Sequence, residues 1–321
     1  MLIKQEFWQS SFWKKCRHFF LISLLANLYR KKLEWRNRLL SRILCPYYAF
    51  LAKKKRVAIG TDSFTPIYVS LTSYPARIND SYFAICSILA QKIPVNKIIL
   101  TLTQEEFPNL ERTLPKKVLA LKEKGLEILW VDRNLKPHNK YFYVMQKYPK
   151  AAIITIDDDI LYPRKTTKKL IESYKKFPNA ISALCTCRLI VKNNKILPYS
   201  QCIPCYDTKI LSPRHDLSAE GFAGALYPPA ILPKEAFNID MIKKCAPLAD
   251  DLWLKYMEFI GGIPVVCAAK YKDPIVISKA QENALYKINS LQNQNDIQQQ
   301  KITKYFSYID FGQIVLRANQ S

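Results

Sequence analysis

Glycine is scarce in this sequence, with 7 residues among 321. Neither a glycine-rich P-loop nor an HExxH metal-protease pattern occurs, which removes both of those chemistries. C₂H₂ finger spacing and RRM-type aromatic motifs are also missing, so a nucleic-acid-binding module rests on charge alone. Long apolar runs are lacking as well. The best of them, "FFLISLLANLY" from Phe19 to Tyr29, would reach about 16 Å as a helix against roughly 30 Å of bilayer hydrocarbon. It is too short to cross. "RKK" follows it directly and no small-residue cleavage site appears, unlike a secretory signal. Nine cysteines make no disulfide framework in a chain of this length, so reduced thiols on the cytosolic side are expected.

Acidic residues are few too, 26 against 49 Lys and Arg, for a formal charge of +23. Such an excess implies an anionic partner: nucleic acid, an anionic membrane face or a phosphorylated substrate. Residues 1 to 58 hold 14 of the basic residues and two acids, Glu6 and Glu34, so +12 of the +23 lies there. In "YRKKLEWRNRLLSRIL", Tyr29, Leu33, Leu40 and Leu44 share one helical face, while Arg30, Lys31, Arg38 and Arg42 cover much of the rest. Trp8, Trp13 and Trp35 suit a water–lipid boundary. The segment therefore reads as a basic amphipathic element on an anionic membrane surface; a helix packed on the protein's own core, with a solvated basic face, is the other reading.

What the chain does have is a 49% hydrophobic composition, enough to bury a sizeable core in one large domain or two smaller ones. Strand-like runs begin at Ile67, Lys97, Leu126 and Ala151, separated by helical spacing from Asp80, Leu114 and Lys140. This alternation implies an α/β fold with a mostly parallel sheet flanked by helices. "CTC" at Cys185 and Cys187 and "CIPC" at Cys202 and Cys205 have the ligand types of a zinc site. "AISALCTCRLI" reads as a buried strand with both its cysteines on one face, which favours ordinary thiols. The Gln/Asn-rich run from Asn289 reads as a polar helix or loop.

The sharpest feature is "AAIITIDDDILYP", in which an apolar strand runs into Asp157, Asp158 and Asp159. Adjacent anions repel unless a cation or solvent relieves them, and ligands of open α/β sheets bind beyond the carboxyl ends of strands. In extended backbone Asp157 and Asp159 project to one side and Asp158 to the other. Two carboxylates plus substrate phosphates are a usual Mg²⁺ ligand set, so the triplet reads as a site where a metal bridges the protein to a diphosphate. An acidic turn without metal is the alternative.

The ordered set "VSLTSYPARI", "IITIDDDILYP", "GFAGALYPP" and "LADDLW" resembles bacterial GT-A-type glycosyltransferases that use nucleotide-sugar donors. The resemblance covers roughly residues 66 to 300. It implies a GT-A-like, Rossmann-like sheet and Mn²⁺ or Mg²⁺ held by Asp157 and Asp159. It also places Thr72, Ser73, Tyr74, Pro75 and Arg77 in the nucleotide-side loop, with Asp158 and Lys140 on the donor and Arg77 matched to phosphate by its planar fork. His138 reads as a polar loop residue. Gly221 and Gly224 would let backbone approach the sugar or acceptor.

Asp250 and Asp251 fall in the first turn of a helix starting near Pro247, where the backbone dipole favours ionised carboxylates. The resemblance to the family's acidic pair makes Asp251 the expected base and Asp250 the runner-up. The implied partners are a nucleotide-sugar donor, a glycan or lipid-linked acceptor and an anionic membrane surface; nucleic acid is not expected. The organisation reads as a membrane-associating segment, 1–58, a catalytic domain, 59–275, and a helical C-terminal extension, 276–321. The location implied is cytoplasmic, peripheral at the inner membrane face. A metal-dependent nucleotidyltransferase, releasing pyrophosphate, is the alternative enzyme class.

Overall fold

The computed structural model describes residues 11–58, 65–204, 212–270, 275–277 and 293–318, with side chains of the first helix described from Leu28 onward except Arg30. Trp8, Cys205 and residues 289–292 of the Gln/Asn-rich run lie outside them, as do the side chains of Trp13 and residues 19–27.

The four expected strands form as β1 (Ile67–Thr72), β2 (Lys97–Thr103), β3 (Leu126–Val131) and β4 (Ala152–Thr155). Shorter strands β5 (Ile181–Ala183), β6 (Ala225–Tyr227) and β7 (Val265–Cys267) complete a seven-stranded sheet in the order β3-β2-β1-β4-β6-β5-β7. β1 to β4 pair in parallel, β7 is parallel to β5, and β6 alone runs against both its neighbours. This is the expected α/β class, a mostly parallel sheet flanked by helices. Its strands are near-continuous apolar runs because both faces are covered. Ile98, Leu100 and Leu102 enter the core on one side, while Ile99 packs with Val144 and Ile153 on the other.

The helices are α1 (Ser11–Lys53), α2 (Ile78–Leu89), α3 (Phe142–Lys147), α4 (Thr166–Lys176), α5 (Ile239–Cys245), α6 (Asp250–Gly261), α7 (Gln294–Tyr305) and α8 (Phe311–Ala318). The helix expected from Leu114 is shorter than its spacing suggests: one α turn, Lys116–Leu119, then a 3₁₀ segment, Ala120–Lys124. It stops at Gly125, whose φ of +97° is the left-handed conformation that glycine adopts without a Cβ clash. α7 contains the second half of the Gln/Asn-rich run. With α8 it places Ile302, Phe306, Phe311 and Val315 against Trp253, Tyr256 and Phe259 of α6, in the core under the sheet.

Two local expectations change. "AISALCTCRLI" is not one strand: it breaks after β5 and resumes as Thr186–Arg188 in a separate three-stranded sheet with Ile203–Pro204 and Leu217–Ala219. The break is held by Leu184 N–H donating to Gly224 O and by Glu220 N–H donating to Cys185 O. Cys185 and Cys187 therefore share no strand face. On α1, the body-facing line is Ser41, Cys45, Tyr48 and Ala52. Leu33 and Leu40 are half-buried, Leu44 packs against the core, and Tyr29 is exposed. Contact with α2 selects this face, a choice that helical periodicity leaves open.

Candidate active site

The connections leave β1 toward β2 on one side and return to β4 on the other, so β1 and β4 are neighbours at the switch point of the sheet. In open α/β sheets ligands bind at such a point, in the crevice beyond the carboxyl ends of the strands. Ser73 follows β1 and Arg77 precedes α2; Asp157, Asp158 and Asp159 follow β4. Lys140 ends a 3₁₀ turn, Lys136–Lys140, Gly221 begins another, Gly221–Ala223, and Asp250 and Asp251 open α6. Residues up to 178 positions apart in sequence thus meet in one place, because parallel strands align their carboxyl ends.

The aspartate triplet does not alternate as extended backbone would. β4 ends at Thr155, Ile156 N–H still donates to Ser70 O at 3.0 Å, and the chain then turns. Asp157 stands alone, 2.9 Å from Lys140 Nζ. Asp158 and Asp159 both meet Arg77, each at 3.1 Å, and Ser73 Oγ donates to Asp158 at 2.6 Å. The split is therefore one against two, and it corrects the expectation that Asp157 and Asp159 face one way and Asp158 the other. The Tyr162 hydroxyl pins the turn by accepting from Asp157 N–H at 2.9 Å and donating to Phe222 O at 2.8 Å. Burial pushes the Asp158 and Asp159 carboxyls upward. For Asp158 the Arg77 guanidinium is the chief opposing influence; for Asp159 the neighbouring Asp158 charge adds to the rise before Arg77 counters it.

Lys140 is buried, and its ammonium bridges Asp157 and Asp250, 2.9 Å from each. Burial alone would lower its pKa, but the two carboxylates outweigh that and hold it well above the ordinary lysine value. Asp250 benefits in return: burial raises it, yet Lys140 prevails and keeps it ionised. Asp251 behaves differently although it sits in the same helix turn. Burial, followed by the charge on Asp250, pushes it well above the carboxylate range. At this position desolvation and carboxylate neighbours outweigh the backbone dipole, whose contribution is about 0.3–1 kcal/mol. Its Oδ2 accepts from Gly221 N–H at 3.0 Å. A Cβ on Gly221 would lie 2.6 Å from Asp251 Oδ1 and 3.2 Å from Lys140 Nζ, so a side chain there would push both groups from their present places.

Other expected residues divide. Thr72 donates its hydroxyl to Thr101 O at 2.9 Å and so ties β1 to β2 rather than facing the crevice. Tyr74 lies with its ring 5.6 Å from the Arg77 guanidinium carbon. Gly224, at φ +102°, faces Leu170, Thr166 and Tyr162, away from Asp251. Lys136 reaches Glu106 at 3.7 Å. His138 is fully buried, with Nε2 donating to Ala246 O at 2.7 Å and Nδ1 3.0 Å from the Tyr141 hydroxyl; it braces the turn beneath Lys140. Glu220 was not anticipated. It sits beside Gly221, and the Tyr199 hydroxyl donates to its carboxylate. Its only sequence signal is its place immediately before "GFAG".

The crevice thus gathers six carboxylates, Asp157, Asp158, Asp159, Asp250, Asp251 and Glu220, around two cations, Arg77 and Lys140. Burial raises Glu220 as well. Among the described residues no group of three His, Cys, Asp or Glu side chains stands ready to hold an ion unaided. An all-oxygen, charge-rich set with Asp157 one-third exposed fits a hard divalent ion whose coordination is completed by substrate phosphates and water.

No family model matches the chain, and no curated protein does. Solved structures similar to it include residues 1–349 of S. aureus TarS, at 13% identity over 65% of this chain and 59% of that one, TM-score 0.38. The mannosyltransferase PcManGT from Pyrobaculum calidifontis, in complex with GDP-Man and Mn²⁺, is 12% identical over 73% of this chain and 65% of that one, TM-score 0.39. A 4-diphosphocytidyl-2C-methyl-D-erythritol synthase is 12% identical over 71% of this chain and 99% of that one, TM-score 0.40. The chain spans less than two thirds of the first two. Likeness at this level says nothing of what the chain does.

Removing the Lys140 ammonium leaves two carboxylates facing each other in a buried site. Lys140→Met is expected to destabilise the protein by about 3–5 kcal/mol, measured by urea unfolding, and Lys140→Met with Asp250→Asn by clearly less. A double variant as unstable as the sum of its parts contradicts the bridge.

Burial lowers the His138 pKa to about 4 against a partial upward pull from Asp250. Unfolded, the same imidazole takes a proton below about pH 6.5. Its contribution is therefore complete above pH 6.5 and is lost as pH falls toward 4, by up to about 3 kcal/mol. His138→Gln is expected to be less stable at neutral pH and to lose less on acidification. Parallel curves of Tm against pH for the two proteins refute the neutral buried imidazole.

Proposed function

We propose that the chain is a metal-dependent glycosyltransferase that moves a sugar from a nucleotide-sugar donor to an acceptor hydroxyl. The observation that carries this reading is the convergence of Asp157–Asp159 with Asp250 and Asp251 at the switch-point crevice. One acidic group stands where a diphosphate would lie, and a second stands across from it at a helix start.

Asp157, which Arg77 does not engage, would hold Mg²⁺ or Mn²⁺ together with substrate phosphates, with Asp159 turned from Arg77 to join it, and the ion when bound would neutralise charge developing on the leaving nucleoside diphosphate. Arg77 supplies a fixed guanidinium beside that position and Ser73 orients Asp158. Lys140 keeps Asp157 and Asp250 in register, and Asp250 stays ionised as its counter-charge. Asp251 accepts the proton of the attacking hydroxyl. A raised carboxyl pKa makes it a stronger proton acceptor once it is deprotonated, and the Gly221 N–H fixes its orientation. A single displacement of this kind inverts the anomeric centre. A glycan or lipid-linked acceptor would supply the hydroxyl that Asp251 requires.

The test is a panel of nucleotide sugars with Mg²⁺ or Mn²⁺ and the purified full chain, read by the nucleotide product. Nucleoside diphosphate is expected with at least one donor, suppressed by chelator. Pyrophosphate as the product points to nucleotidyl transfer and ends the glycosyltransferase reading. Asp251→Asn, which retains an acceptor for Gly221 N–H, is expected to lower turnover by about 10²–10⁴-fold with little change in Tm. Undiminished turnover rejects Asp251 as the base.

A further inference from the structure

α1 is covered on one side only. Ser41, Cys45, Tyr48 and Ala52 are buried against the body, with α2 as the main helical neighbour. On the far side Leu28, Trp35, Leu39, Ile43, Tyr47 and Phe50 are exposed, Trp35 by 67% and Phe50 by 60%. Their spacings of seven, four, four, four and three residues return to the same side of a helix with 3.6 residues per turn. Six large apolar side chains form a stripe, continuous from Trp35 to Phe50 and parted from Leu28 by Lys32, unlike the scattered exposed leucines of an ordinary surface.

The stripe has charged margins of one sign. Lys31, Arg38 and Arg42 are exposed along one edge, Lys32 stands in it between Leu28 and Trp35, and Lys53 stands at its end; Lys54, Lys55 and Arg56 continue past the helix end, and Glu34 is the sole acid between residues 11 and 58. A second copy of this chain would bring those cations face to face. An anionic lipid surface answers both features, with acyl chains for the stripe and headgroups for its margins. Among the described residues no helix is long and apolar enough to cross a membrane, so the geometry is that of a helix lying in the surface.

We propose that α1 binds an anionic lipid bilayer through the stripe Leu28, Trp35, Leu39, Ile43, Tyr47 and Phe50, with Arg38, Arg42 and their basic neighbours on the headgroups. The face is not the one that the Tyr29, Leu33, Leu40, Leu44 pattern suggests. Those residues border the stripe or turn toward the body, because packing on α2 consumes that side. The proposal needs no assumption about what the crevice transfers.

The experiment is co-sedimentation of the full chain with phosphatidylcholine vesicles, with and without phosphatidylglycerol. Wild type is expected to bind the anionic vesicles, less so as salt rises, and to leave the neutral ones largely unbound. The triple variant Trp35→Ser, Leu39→Ser, Ile43→Ser should lose about 100-fold or more in partitioning. Arg38→Gln with Arg42→Gln should lose roughly 25-fold, about fivefold per charge. All five substituted positions are exposed, and circular dichroism checks that each variant is folded. Equal binding by the triple variant overturns the proposal, as does equal binding to neutral vesicles. Failure of wild type to bind, with a dimer in light scattering that the triple variant abolishes, overturns it in favour of a second copy.

Discussion

The Lys140 ammonium between Asp157 and Asp250 is the contact on which the crevice depends. It joins the end of β4 to the start of α6, two elements that the chain reaches more than ninety residues apart, and it does so in a buried setting. Two carboxylates brought that close repel strongly in a low-dielectric site; with the ammonium between them each becomes part of a bridge. Arg77 performs the matching service for Asp158 and Asp159 from the other side of the switch point. The crevice is thus a set of carboxylates divided between two fixed cations, with Asp251 and Glu220 left in excess.

That excess has a direct consequence for the chemistry. Carboxyls that are crowded and partly desolvated rise in pKa, as Asp158, Asp159, Asp251 and Glu220 do. An incoming cation offsets the negative charge that crowds them and brings their pKa values down. Such a site is suited to a ligand that brings positive charge, as the proposed metal-bound diphosphate would. The tightness of the packing shows at Gly221, where backbone lies against both Asp251 and Lys140 and a side chain would displace them. In a chain with 7 glycines, one of them is spent on this approach.

Much of the frame was legible in advance, since a strand covered on both faces must be apolar throughout. β1 to β4 coincide with the apolar runs, and α6 carries Asp250 and Asp251 in its first turn as expected, although it starts at Asp250 rather than near Pro247. The shorter strands β5, β6 and β7 were harder to read, because three residues carry too little pattern to separate strand from loop. The break at Cys185 was invisible for a related reason: it exists because Gly224 and Glu220, distant in sequence, capture the backbone there. In the site, the identity of the acidic clusters could be read, but their pairings could not. Asp158 turns to the same arginine as Asp159 because β4 ends before the triplet, and the exact end of a strand is among the least readable features of a sequence.

Local pattern by itself determined the α/β class, the order of the first four strands and helices, the placing of carboxylates at a strand's end, and the basic character of α1. These follow from periodicity and composition, which act between neighbours in the chain. Tertiary structure alone decided that Lys140 bridges two carboxylates, that Thr72 serves the sheet, that Gly221 abuts Asp251, and which stripe of α1 remains uncovered. Each of those depends on where distant segments meet, and charge pairing and steric exclusion act on distance in space, which the linear order of residues does not contain.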